Sequence, residues 1–390
     1  MSLEIRLRDL YRENDNYLRV TEFRTGSGQF LPVLPALDNR KPLHARFRSS
    51  IPAGAFIESY VKVTTDELKN IDGDRNLQRK FVLENLIPAQ EGNLVVFLKI
   101  LLREEEKLSS SLVTHIADIL SAPENTIIIP PLLYHFKTSE SGRLIPTTSV
   151  ELRAYLDFLM ELLSVLASRG VKQVGLNLPS VVSRSSVPEI LDLFKDFDTP
   201  MAILDANGKT NADFFLILQP LVGFGGGNTY SLGEKQDEKY IIYSFDSKPY
   251  RGRGDITPAM NILQLDSGFS TFGSRHTVRM RPLPPPPPGV EIPSRILYSR
   301  EYSYYKTTVP EAIEAFNHWR TENHIPDLGG IRNQIERYKK DYEYIHLNSS
   351  IGSLYEYASE GTLDRELSAH RYITTELNKI KKNNRRIHSR

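Results

Sequence analysis

Short apolar runs alternate along this chain with longer stretches whose apolar residues recur at helical spacing, and that alternation constrains the fold more than any other feature. "NLVVFLKILL", "NTIIIPPLLYHF", "VKQVGLNLP", "TPMAILDANGK" and "KYIIYSFDSKP" read as strands. Between them "SSSLVTHIADILSA", "SVELRAYLDFLMELLSVLASRG" and "SVPEILDLFKDF" read as amphipathic helices, with serines at N-cap positions and Gly170 closing the longest. Such alternation is the signature of parallel α/β units. The strands are apolar throughout, as strands covered by helices on both faces must be. The expected fold is therefore α/β, a parallel (β/α) barrel of the TIM type in incomplete or modified form, with an open doubly wound sheet as the alternative. "FLPVLPAL" and "FIESYVKVTTDEL" are available as its first strands.

The barrel-like domain is expected over 1–280. A connector over 281–293 follows, "RPLPPPPPGVEIP", whose five prolines Pro284 to Pro288 favour a stiff polyproline II spacer. From 294 to 390 the pattern predicts a last Tyr-rich strand, "SRILYSREYSYYKT", and a helical C-terminal subdomain.

Composition narrows the function classes. A chain of 390 residues with 40% hydrophobic content can bury a large core. Lys+Arg of 49 against Asp+Glu of 48 gives no global pull toward nucleic acid or membrane, so any anion-binding surface is local. With Cys 0 there is no disulfide, thiolate nucleophile or cysteine-ligated metal. No second His lies at ligand spacing, and neither a metal site nor a cofactor is predicted. "MSLEIRLRDLYREND" lacks a signal-peptide apolar core and no apolar run is long enough to span a membrane, so a cytoplasmic location is expected.

In parallel α/β folds the reactive groups sit just past the carboxyl ends of strands. Three runs end in this way. "GLNLPS" places Asn177, "AILDANGK" places Asp205, Asn207 and Lys209, and "IYSFDSKPYRGRGD" places Asp246, Lys248, Arg251 and Arg253. Converging at a solvent-facing mouth, Asp205 and Asp246 would be the catalytic carboxylates and the cations a rim that binds an anionic group. Either Asp could equally cap a helix or bind a loop.

"FDSKPYRGRGD" resembles the stretch of tRNA-guanine transglycosylases in which a strand ends in Phe-Asp, followed by Pro and two basic residues. "GFGGGNTYSLGE" is similar to that family's Gly-Gly substrate loop, and "LYEYASEGTLDRELSAHRYITTELNKI" to its C-terminal helices, with His370 in a comparable place. The resemblance implies Asp246 as nucleophile, Gly226 and Gly227 lining a base pocket, and Arg251 and Arg253 facing nucleic-acid phosphate. The chain departs from the family in lacking its cysteine zinc site. The family's "DSGGFQ"-type motif is echoed only by "LDSGFSTFG", whose Asp266 lies after Asp246 rather than before it. A divergent relative is the expectation, acting on a nucleobase, nucleotide or nucleic acid. The alternative is a non-catalytic scaffold or interaction protein. His276 in "FGSRHT" is read as an anion binder or loop cap, His135 as a hydrogen-bonded structural residue, and the basic tail from Lys379 as solvated or as a nucleic-acid contact.

Overall fold

The computed structural model describes residues 3–388 apart from 210–220, 222–240, 277–292 and short breaks at 26–27, 53–54, 90–91, 123–126, 139–141, 143, 181, 251 and 328. The proline run of 284–288 and the glycine loop with Gly226 and Gly227 lie outside the described residues.

The chain opens with an antiparallel hairpin of β1 (Leu3–Glu13) and β2 (Asn16–Thr25), to which β3 (Leu31–Pro32) adds a short third strand. Asn14 and Asp15 join the two long strands with φ of 46° and 69°. Both central residues of a type I′ turn need this left-handed backbone.

A second sheet contains β4 (Leu37–Asp38), β5 (Phe56–Thr64), β6 (Asn93–Leu102) and β7 (Leu132–Thr138), all parallel, with β8 (Leu144–Ser149) antiparallel at the edge. A third is wholly parallel, in the order β13 (Thr271–Phe272), β11 (Ile241–Phe245), β10 (Met201–Asp205), β9 (Leu176–Leu178). A small antiparallel sheet joins β12 (Ile256–Pro258), β15 (Ser303–Lys306) and β14 (Arg295–Tyr298).

This arrangement corrects the expectation of a TIM-type barrel. The chain is mixed α/β with several small sheets, and no eight-stranded parallel ladder closes among the described residues. The two parallel sheets touch through single links, the bridges Val95↔Ile127 and Ile128↔Val174 and the bond from Ala36 N–H to the Phe272 carbonyl. Local chemistry explains the interruption. Pro130 and Pro131 cannot donate to a ladder, so the apolar run "NTIIIPPLLYHF" becomes a full strand only from Leu132. The free edge of β7 then pairs with β8, and three strands at the seams, β4, β9 and β13, are only two or three residues long.

Helices fill the connections. After β5 come α1 (Thr65–Gly73), with a Thr64–Glu67 capping box, and α2 (Arg75–Asn85), capped by Asp74. Then α3 (Ser110–Ser121) is capped by Ser109, α4 (Leu152–Ser168) starts from Glu151 without a side-chain cap, and α5 (Val187–Leu193) follows. Gly170 ends α4 at φ 74°, and the Val171 N–H returns to the Leu166 carbonyl, as a glycine-terminated helix should. A single turn, α6 (Met260–Leu263), precedes the C-terminal helices α7 (Pro310–Glu322), α8 (Ile331–Ser359), α9 (Leu363–Ala369) and α10 (Thr374–His388). No helix among the described residues is long and apolar enough to cross a membrane.

Strand residues divide by parity between two cores. Ile57, Val61, Leu94, Val96, Leu98, Ala202 and Ile242 face the helices in the larger one. Phe56, Tyr60, Val95, Phe97, Met201, Ile203, Tyr243 and Phe245 form a second core between the two parallel sheets, with Leu3, Ile5 and Phe23 of the hairpin added to it. Burial on both faces is the reason these strands carry no polar alternation.

The helical layer gives a direct test. Leu159 of α4 is fully buried, whereas its neighbour Met160 is 45% exposed. Leu159→Ala is expected to cost about 2–5 kcal/mol in denaturant unfolding and Met160→Ala less than about 0.5 kcal/mol. Similar losses at both positions would contradict the assigned helix face.

Candidate active site

Parity carries three ionisable side chains into the inner core. Glu58 falls between Phe56 and Tyr60 on β5, Lys99 continues the Val95–Phe97 face of β6, and Asp205 continues the Met201–Ile203 face of β10. Asp246 follows β11 directly and adopts φ 52°, a left-handed backbone that a non-glycine residue takes seldom and most often at Asn or Asp.

The four groups do not stand apart. Lys99 Nζ lies 3.1 Å from Asp205 Oδ2 and 3.6 Å from Asp246 Oδ2, and all three side chains are at most 2% exposed. Tyr134 donates its hydroxyl to Asp205 Oδ2 at 2.7 Å, and the Asn207 N–H donates to Asp205 Oδ1 at 2.9 Å. The ammonium also sits 4.7 Å from the centre of the Tyr134 ring, with the Tyr60 and Phe245 rings beyond it. Burial, followed by the nearby carboxylates, raises the Tyr134 and Tyr60 phenols far above their ordinary value, so both remain protonated hydrogen-bond donors.

A strap of four residues after β13 closes the arrangement. The Gly273 N–H donates to the Ser244 carbonyl, the Ser274 N–H to Glu58 Oε1 at 3.1 Å, and the His276 N–H to Asp246 Oδ1 at 2.7 Å. The His276 ring then pairs through Nε2 with Glu58 Oε1, and the Tyr243 hydroxyl donates to Glu58 Oε2. A side chain at position 273 would run into the Glu58 carboxylate and the Tyr243 hydroxyl, so only glycine lets the strap pass this close. Among the described residues no group of three or more His, Asp or Glu side chains is placed to hold a metal ion.

The residues anticipated from sequence are distributed unevenly. Asp205 and Asp246 come together around Lys99. Asp246 is completely buried, not at a solvent-facing mouth. Asn177 is buried but turns its amide to the Pro130 carbonyl at 2.9 Å, and its own carbonyl accepts from Tyr155. Asn207 serves through its backbone, Lys209 and Arg253 are exposed, and Lys248 Nζ lies 6.0 Å over the Tyr250 ring. Arg251, Gly226 and Gly227 fall outside the described residues. Asp266 does not join Asp246. It is buried near the C-terminal helix α10, where burial raises its carboxyl well above the usual range against the pull of Lys381. His370 pairs with Glu301 at 3.5 Å.

Lys99, Glu58, Tyr60 and Tyr134 were not singled out by the sequence reading. The signal was present in two of them: one cation within "NLVVFLKILL" and one acid within "FIESYVKV" are charges inside runs that must be buried. No family model matches the chain, and no curated protein matches it.

The Glu58–His276 pair has a defined pH signature. Burial alone would lower the imidazole, but the Glu58 carboxylate, with Asp246 and Asp38, outweighs it and the net shift is upward from 6.5. A raised folded value means that the stability His276 contributes is complete below about pH 6.5 and is lost as pH rises through the folded value. The difference in denaturation midpoint between wild type and His276→Gln should therefore be widest at acidic pH and narrow as pH rises. A difference that grows with pH would show that the protonated ring is not the partner of Glu58. Gly273→Ala should cost about 1–3 kcal/mol because its methyl group displaces the Glu58 carboxylate. Unchanged unfolding of that variant would refute the close passage of the strap.

Proposed function

We propose that this chain is an enzyme in which Asp246 and Asp205, gathered around Lys99, act on a small polar molecule of the nucleobase or nucleotide kind. The observation that carries this reading is the assembly of Lys99 on β6, Asp205 on β10 and Asp246 just past β11 into one buried group. Buried ion networks are commonly no more stabilising than apolar residues of the same shape, whereas clustered, desolvated titratable groups are characteristic of reactive sites.

The reaction class that suits the arrangement is glycosyl transfer or the related hydrolysis. As the bond from a sugar carbon to its base breaks, that carbon becomes positive, and a carboxylate stabilises it. Asp246 is the group to form the new carbon–oxygen bond, in keeping with the transglycosylase-like stretch around it, and Asp205 the group to exchange a proton. Tyr134 and the backbone N–H groups of Asn207 and His276 hold the two carboxylates in place. A small molecule is favoured over nucleic acid because cations of the tail are matched by acids: Lys379 by Glu376, Lys381 by Asp364 and Arg385 by Asp15. A cytoplasmic location suits a chain without cysteine.

Turnover of nucleobases, nucleosides and nucleotides by wild type and by Asp246→Asn, which retains an acceptor for the His276 N–H, tests the proposal. Activity should fall by about a thousandfold or more in that variant with its fold retained. Lys99→Met alone should lose about 3–5 kcal/mol of stability, since it leaves two carboxylates buried without their cation. The triple variant Lys99→Met, Asp205→Asn, Asp246→Asn should regain most of that loss while remaining inactive. No conversion of any substrate, together with a triple variant as unstable as Lys99→Met, would assign the cluster to structure and leave a scaffold.

A further inference from the structure

Beside the buried centre lies a cavity of about 190 Å³ whose wall includes Ser247, the residue after Asp246, and Arg275, the residue before His276. Helix α8 supplies Lys340, Glu343 and Tyr344, three and four positions apart and hence on one face. Asn261 of α6, with Asp38, Ser274 and Tyr304, adds to the polar part of the lining.

The unusual property of this cavity is how many of its polar atoms have nothing to bind. Ser247 Oγ, Asn261 Oδ1, Arg275 Nε, Lys340 Nζ and Tyr344 OH are buried and have no hydrogen-bond partner among the described residues. Ser247, Asn261 and Tyr344 are each at most 5% exposed. Buried polar groups are nearly always paired, so an orphaned set around one void marks a place where a partner belongs. Two acids share the lining. Asp38 accepts the Arg40 N–H at 3.0 Å and faces Lys41 at 3.7 Å. Glu343 faces Lys339 at 3.8 Å, but its Oε1 has no hydrogen-bond partner among the described residues, and burial raises its carboxyl to about 7, so near neutral pH it is in large part protonated and able to donate to an oxyanion. The cations left over are Lys340 and Arg275.

We propose that this cavity is an oxyanion site, holding the phosphate or carboxylate group of a small ligand between Lys340 and Arg275, with the Ser247 and Tyr344 hydroxyls as further donors. Charge-assisted bonds from a guanidinium and an ammonium are the strongest available for such a group. Asn261 Oδ1 then accepts from a hydroxyl or N–H elsewhere on the ligand. The surroundings of Lys340 agree with this: burial lowers its ammonium to about 8 despite Asp38 and Asp341, so these acids do not offset its desolvation. The site does not depend on the enzyme reading, because occupancy is measured without turnover.

Calorimetric titration of the full chain with inorganic phosphate and, separately, with malonate at constant ionic strength is the test. Saturable binding to one site is expected, with the tighter anion identifying a phosphoryl or a carboxylate ligand. Lys340→Met and Arg275→Met should each weaken it by about tenfold or more, Lys340→Arg should retain it, and Lys382→Met, at an exposed position, should leave it unchanged. To separate lost binding from lost folding, the thermal midpoint of ligand-free Lys340→Met should equal or exceed that of wild type, since an unpartnered buried cation has been removed. Absence of saturable binding by both anions, or binding unmoved by both methionine variants, would overturn the proposal. So would a lowered midpoint in ligand-free Lys340→Met, which would reveal an internal partner for the cation.

Discussion

Lys99 lies toward the carboxyl end of the longest parallel ladder, between two strands, with the residue 1% exposed and its charge answered by carboxylates from the opposite sheet. Removing one ion from water into a protein interior costs several kcal/mol, and the cost is recovered only if countercharges and hydrogen bonds are waiting. Here they are: Asp205 and Asp246 supply the charge, the N–H groups of Asn207 and His276 satisfy the Oδ1 atoms that face away from Lys99, and the Tyr134 hydroxyl shares Asp205 Oδ2 with it. The two parallel sheets are joined at their seams by single bridges. The ion group therefore connects β6 to β10 and β11 across a core where backbone pairing does not run continuously.

A second polar tie, the strap at 273–276, is built on the same logic. Glu58 is buried on β5, and its two oxygens are taken by the Tyr243 hydroxyl from β11 and by the Ser274 N–H and His276 ring from the strap. Ser274 and the His276 ring therefore fix Glu58, while the His276 N–H fixes Asp246. Any movement of 273–276 alters both carboxylates together, which couples the lysine-centred group to the imidazole without direct contact between Lys99 and His276. Asp246 holds a left-handed backbone within this arrangement. Strain of that kind persists where surrounding contacts over-determine it, as these do.

Much of this was legible in the sequence, and the rest was hidden for identifiable reasons. "NLVVFLKILL" is a strand over its whole length, and "MAILD" and "IIYSF" are parallel neighbours in register, because a continuous apolar run admits little else. Asp205 and Asp246 stood out because they end such runs. Closure of the sheet was not legible: whether strands meet at a seam depends on prolines such as Pro130 and on strands of two or three residues, too short to carry a pattern. The N-terminal hairpin was missed although "LEIRLRDLYRE" alternates at period two around an Asn-Asp turn. Lys99 and Glu58 were missed for a different reason. A charge inside an apolar run reads as a local blemish until its partner is known, and the partners lie over a hundred residues away in sequence.

The C-terminal helices explain why the candidate centre and the cavity adjoin. Tyr342 of α8 packs among Phe316 and Trp319 of α7, while Tyr338 lies against His44, whose ring and N–H are held by Asp341. These contacts set the rotation of α8, and with it the direction of Lys340, Glu343 and Tyr344. The end of the chain is fastened as firmly. Asp364 binds Asn14, Asn16 and Lys381, and Asn384 reaches the carbonyls of Asp15 and Asp266. The first hairpin and the last helix are thus tied to each other beside the helix that closes the cavity. Elements from both ends of the chain hold the ring of polar groups around a centre whose charges come from its middle.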